Sequence, residues 1–148
     1  MLMNLPFQDS KPVVMMALNR NGRALMTRDA ELIRRILAEI QHRKTTDYEP
    51  LVIPDADVAI VARHLEMLHD AGYIEAVKST PISGDVKFMI KDLTWEGHDL
   101  AAVLENNDVW SKIKSKLSPS ELATIPLTVL KSVGLGLLEH YMKSKFGL

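Results

Sequence analysis

No cysteine occurs in the 148 residues. That excludes disulfides, thiolate metal sites and a cysteine nucleophile, and it fits a reducing cytoplasm, the expected location. Long hydrophobic runs are missing too. No segment approaches the roughly 18 apolar residues that span a bilayer, so no membrane association is expected. The opening "MLMNLPFQDSKPVVMMALNRNGRALM" lacks the basic start of a secretory signal, and its apolar run from Val13 to Leu18 is short for one. The signatures of nucleotide and acyl chemistry are absent: there is no Walker loop, no GxSxG and no dinucleotide fingerprint. Histidines occur at 42, 64, 69, 98 and 140. In "HLEMLH" two of them stand at i and i+5, which splays the rings by roughly 140° on a helix. The expectation is therefore no metal, no cofactor and no enzyme.

What is present is a globular composition. Hydrophobic residues make up 47% and charged residues 25%, enough for one domain with a core. Net charge is −1, unevenly spread. Residues 1–44 carry eight basic and four acidic side chains. Residues 45–108 carry four basic and thirteen acidic, and residues 109–148 six basic and two acidic. The middle is acidic and the ends are basic.

Periodicity supplies the elements. Residues 1–26 are punctuated by Pro6, Pro12 and Gly22, and "PVVMMAL" is a short strand candidate within them. "TRDAELIRRILAEIQHR" places Leu32, Ile33, Ile36, Leu37 and Ile40 on one face, a helix over about 28–43 capped by Thr27. "LVI" reads as a short strand. A second helix follows Asp55 as N-cap, with Val58, Val61, Ala62, Leu65 and Leu68 as its buried stripe and Gly72 at its end. "YIEAVKS" and "DVKFMIKDL" alternate as a hairpin. "SPSE" at 118–121 is a capping box, and a last helix begins near Pro126 with Gly134 and Gly136 on its course.

The stretch "KDLTWEGHDLAAVL" sets Trp95, Glu96, His98 and Asp99 side by side. A general base at His98 needs a carboxylate facing it. Glu96 and Asp99 stand two before and one after it, and such neighbours do not face each other on a helix. The structural reading is preferred: Thr94 as N-cap, Trp95 covering the hairpin beside His98, Gly97 admitting a close approach, and Trp110 as a further structural aromatic.

The order of helix, strand, helix, hairpin and further helices is that of an α+β, winged-helix-like domain. Its helix-turn-helix is shortened, its wing is the β-hairpin, and helices are added at the C-terminus. Three motifs, "MTRDAELIRRILAEI", "VARHLEMLHDAGYIEA" and "LTWEGHDLAAVLENNDVWSKIK", resemble the bacterial and prophage family catalogued as domain of unknown function 2513 (DUF2513). The resemblance covers about residues 26–148. It implies a fold and a prophage-associated setting, and no activity. Residues 1–25 are then a peripheral extension, and 26–148 a single domain.

Two kinds of partner follow. A winged helix by analogy binds DNA, here through the hairpin lysines Lys78, Lys87 and Lys91. Yet the would-be recognition helix, residues 55–71, sets Asp55, Asp57, Glu66 and Asp70 against Arg63 alone. A helix in the major groove must approach phosphates, and acids oppose that. The residues favour a protein-interaction adaptor that uses Asp57, Arg63, Glu66 and Asp70. A DNA-binding regulator is the alternative, and self-association through the last helix is a further route.

Overall fold

The structure, a computed structural model, describes residues 27–84 and 87–148, together with the backbone of Ala17–Leu18 and Ala24–Leu25. Those last two are β1 and β2, a short antiparallel ladder. Apart from them, the expectation of a peripheral extension over 1–25 lies outside the described residues. There follow α1 (Ala30–Gln41), β3 (Glu49–Pro50), α2 (Val58–Asp70), β4 (Ile74–Ser79) and β5 (Lys87–Leu93). Four helices complete the chain: α3 (Trp95–Glu105), α4 (Asn107–Lys116), α5 (Pro119–Thr124) and α6 (Leu127–Lys145).

Helix α1 buries the five residues its spacing marks, Leu32, Ile33, Ile36, Leu37 and Ile40. Its cap is Asp29 and not Thr27: the Asp29 carboxylate accepts from the Leu32 N–H at 3.1 Å, one turn in. Between α1 and α2 there is no helix, only β3 and a turn, which is compatible with a shortened helix-turn-helix. The strand expected at "LVI", residues 51–53, starts two residues earlier, at Glu49–Pro50. Arg43 fixes it there, donating to the carbonyls of Glu49 (3.1 Å), Pro50 (2.6 Å) and Ile90 (2.6 Å).

Helix α2 also starts later than expected. Asp55 has φ 62° and makes the turn, a conformation that Asp tolerates. Asp57 is the cap and accepts from the N–H groups of Ala59 and Ile60. The shift puts Val58 at the first helical position, 83% exposed, outside the stripe assigned to it. The buried stripe is Val61, His64, Leu65 and Leu68.

The sheet has strand order β3-β5-β4, all antiparallel, with a bulge between Glu75 and Ala76. One face meets α1, α2 and α3 through Phe88, Ile90 and Leu93. Asn106 ends α3 and caps α4 by accepting from Val109 N–H. The Ser118–Glu121 capping box forms in both directions. Helix α6 seats Leu130 and Gly134 against α3. The whole is an α+β fold compatible with a winged-helix-like domain carrying C-terminal helices. Among the described residues, no helix is long and apolar enough to cross a membrane.

Candidate functional site

The stretch that stood out in sequence is a helix start. Thr94 Oγ1 accepts from Gly97 N–H at 3.1 Å and donates to the Gly72 carbonyl at 2.6 Å. The Thr94 N–H donates to the Tyr73 carbonyl at 3.1 Å. Burial pushes the Tyr73 phenol above its ordinary value, with the Glu96 charge adding to the shift. Trp95 does not cover the hairpin: it is 84% exposed. The reason is angular. Helix α3 buries Gly97, Leu100, Ala101 and Leu104, and Trp95 stands about 200° from Gly97 at 3.6 residues per turn. His98 shares its outward side and places Nε2 3.8 Å from Asp92 Oδ1, both half-exposed. The buried tryptophan is Trp110. Its indole N–H donates to Glu31 at 3.2 Å, and Arg34 lies 5.6 Å from its ring centroid.

Of the residues assigned to a partner face, several serve the fold. Asp57 is a cap. Glu66 accepts from Arg63 at 2.8 Å and from Lys78 at 3.2 Å, which ties α2 to β4. The Lys78 hydrogen bond, then that of Arg63, holds the Glu66 carboxyl below its ordinary 4.5. A depressed carboxyl gives stability that is present above the unfolded value and lost as pH falls through the folded one. Glu66→Gln should therefore flatten the decline in melting temperature below pH 4.5, while leaving neutral-pH unfolding cooperative. Asp70 is exposed, 4.0 Å from His69 Nδ1. Among the lysines assigned to nucleic acid, Lys78 is thus paired, and Lys91 lies over the Tyr48 ring at 5.8 Å. Lys87 has no ion pair among the described residues.

His64, weighed from its spacing only as a metal ligand, is fully buried. Its Nε2 accepts from the Asp29 N–H at 2.9 Å, and its Nδ1 donates to the Ile60 carbonyl at 2.8 Å. A neutral ring protonated on Nδ1 satisfies both contacts. His64 therefore joins α2 to the start of α1. Its place between Val61, Leu65 and Leu68 on the stripe was the available signal.

A cavity of about 500 Å³ lies between α2 and the sheet. Beyond Pro50 the chain leaves β5 and loops through Leu51, Val52 and Ile53 to the Asp55 turn, and this opens a groove. One wall is that loop. The floor is Val58, Val61, Ala62 and Leu65 of α2, and the far wall is Lys87, Phe88 and Met89 of β5. Val52 (75%) and Val58 (83%) stand open at its mouth. Among the described residues, Lys87 is the single charged one in its lining. Two smaller cavities, about 210 and 220 Å³, lie beside Trp110 and between α4 and α6 and have several charged or polar walls.

The profile of the family described as "Hypothetical protein (DUF2513)" matches residues 27–122. The chain belongs to this family. The DUF2513 match runs from α1 into α5 and stops before α6. An uncharacterized protein of Haemophilus influenzae is 29% identical over 112 residues, covering 73% of this chain and 92% of that one. No solved structure gives a significant match.

Proposed function

We propose that this DUF2513 protein is a protein-interaction module and not an enzyme, and that its groove receives an apolar segment of a partner protein. The observation that carries the reading is an open cavity of about 500 Å³ with aliphatic walls and two valines exposed at its mouth. Cavities of this size and lining are the usual form of binding sites, and exposed apolar patches mark docking surfaces. Outside the groove, α2 and its cap carry Asp57, Glu66 and Asp70 against Arg63, and one of the hairpin lysines is neutralised by Glu66. Both features oppose phosphate contact. The histidine–carboxylate pairs His42 with Glu105, at 3.2 Å, and His98 with Asp92, at 3.8 Å, both lie at the surface, and neither lines any of the three cavities described.

Val58→Asp tests the reading. At the first position of α2 an added carboxylate suits the helix dipole, so folding should be unchanged. Capture of a partner should fall more than tenfold, as for loss of an interface anchor. Undiminished capture by the variant sinks the proposal. So does specific DNA binding that survives moderate salt and weakens, with a flatter salt dependence, when Lys87 and Lys91 are changed to Glu.

A further inference from the structure

The cations around the groove differ in what they are committed to. Arg35 donates to the Pro54 carbonyl at 2.7 Å. Arg43 holds β3 to β5. Arg63 and Lys78 share Glu66. Lys87 is the exception: it lines the groove, and the residue opposite it on β4 is Ser79, which carries no charge. An apolar segment laid into this groove would strip water from an ammonium that has no counterion among the described residues. That cost is offset only if the occupant brings an anion.

We infer that the partner segment presents a carboxylate to Lys87 beside its apolar anchors. The inference rests on the groove reading above and names the chemistry of its occupant. The layout orients the segment. Pro50 pairs with Met89, so the groove runs along β5 from the end of β3 towards the hairpin, and Lys87 stands at the hairpin end. The aliphatic anchors lie over Val58, Val61 and Leu65. The carboxylate follows them at the hairpin end. An occupant with an amide there loses the ion pair, and one with a lysine meets like charge.

The test uses the full chain and terminally blocked nonapeptides. Each peptide carries two Leu or Ile residues and an Asp one to three positions from them, with the Asn counterpart as control. Binding is measured by calorimetry. The Asp peptides should bind about fivefold tighter, the scale of a partly exposed ion pair, and the gap should close in high salt. Lys87→Gln should abolish the gap without changing the Asn peptides. Equal binding of Asp and Asn forms, with both lost in Val58→Asp, overturns the carboxylate assignment and leaves the groove reading standing. If no peptide binds in a Val58-dependent way, both fall. Binding seen only when Val13, Val14, Met15 and Met16 are changed to Ser makes this chain's own segment the occupant, and overturns the partner. Self-association that Val58→Asp abolishes and the peptides compete away makes it a second copy, and overturns it equally.

Discussion

Trp110→Ala should lower the free energy of unfolding by about 3–5 kcal/mol, the range for a large aromatic removed from a core. Trp95→Ala should change it by less than about 0.5 kcal/mol, as surface substitutions do. The two residues are the only tryptophans, and the sequence set them in the reverse order of interest. Trp110 is 5% exposed and Trp95 84%. The indole of Trp110 joins α4 to α1, meeting Glu31 through its N–H and Arg34 across its face. Its loss leaves a cavity between two helices, and it leaves the Glu31 carboxylate without one of its donors. Urea titration of both variants decides the matter. A stable Trp110→Ala protein beside an unstable Trp95→Ala one would mean that the tryptophan environments are the reverse of those described.

Most of the architecture was legible because it rests on periodicity. The α1 stripe, the hairpin, the start of α3 at Thr94 and the Ser118–Glu121 box all appear where spacing puts them. What failed were choices between near neighbours of equal propensity. Asp55 and Asp57 are both good caps, and the left-handed turn at Asp55 decides between them through a backbone angle that no side-chain pattern encodes. That two-residue step moves Val58 from core to surface, and with it creates the mouth of the groove. The groove itself could not be read from the sequence. It exists because β3 is held to β5 by Arg43 and ends at Pro50, which is a matter of tertiary geometry. Trp95 failed differently: apolar character was taken as burial, although its helical phase is opposite to Gly97 and Leu100. The lysine of interest was among those named, but only tertiary contacts separate it from the others: Lys78 is paired with Glu66 and Lys91 lies over Tyr48.

Gly97→Ala should be the most damaging alanine substitution among the described helical glycines, costing about 3 kcal/mol, the upper end of what overpacking does. A Cβ at Gly97 would collide with the Tyr73 carbonyl oxygen, and the Leu93 side chain closes the other side at 3.2 Å. A flexible side chain can swing away from an added methyl, but a carbonyl cannot. The Tyr73 carbonyl also accepts from the Thr94 N–H, and the neighbouring Gly72 carbonyl accepts from the Thr94 hydroxyl. Pushing α3 off this loop therefore breaks its N-terminal anchorage and loosens Leu100 and Leu104, both fully buried. Gly136→Ala provides the contrast. It lies within α6 with nothing near a new Cβ, and replacing a helical glycine by alanine should stabilise by about 0.5–1 kcal/mol. Opposite signs in the denaturation midpoints are the expected result. A neutral Gly97→Ala would show that α3 does not approach the α2–β4 loop this closely, and that the close packing of "TWEGHDL" on that loop is not what this glycine serves.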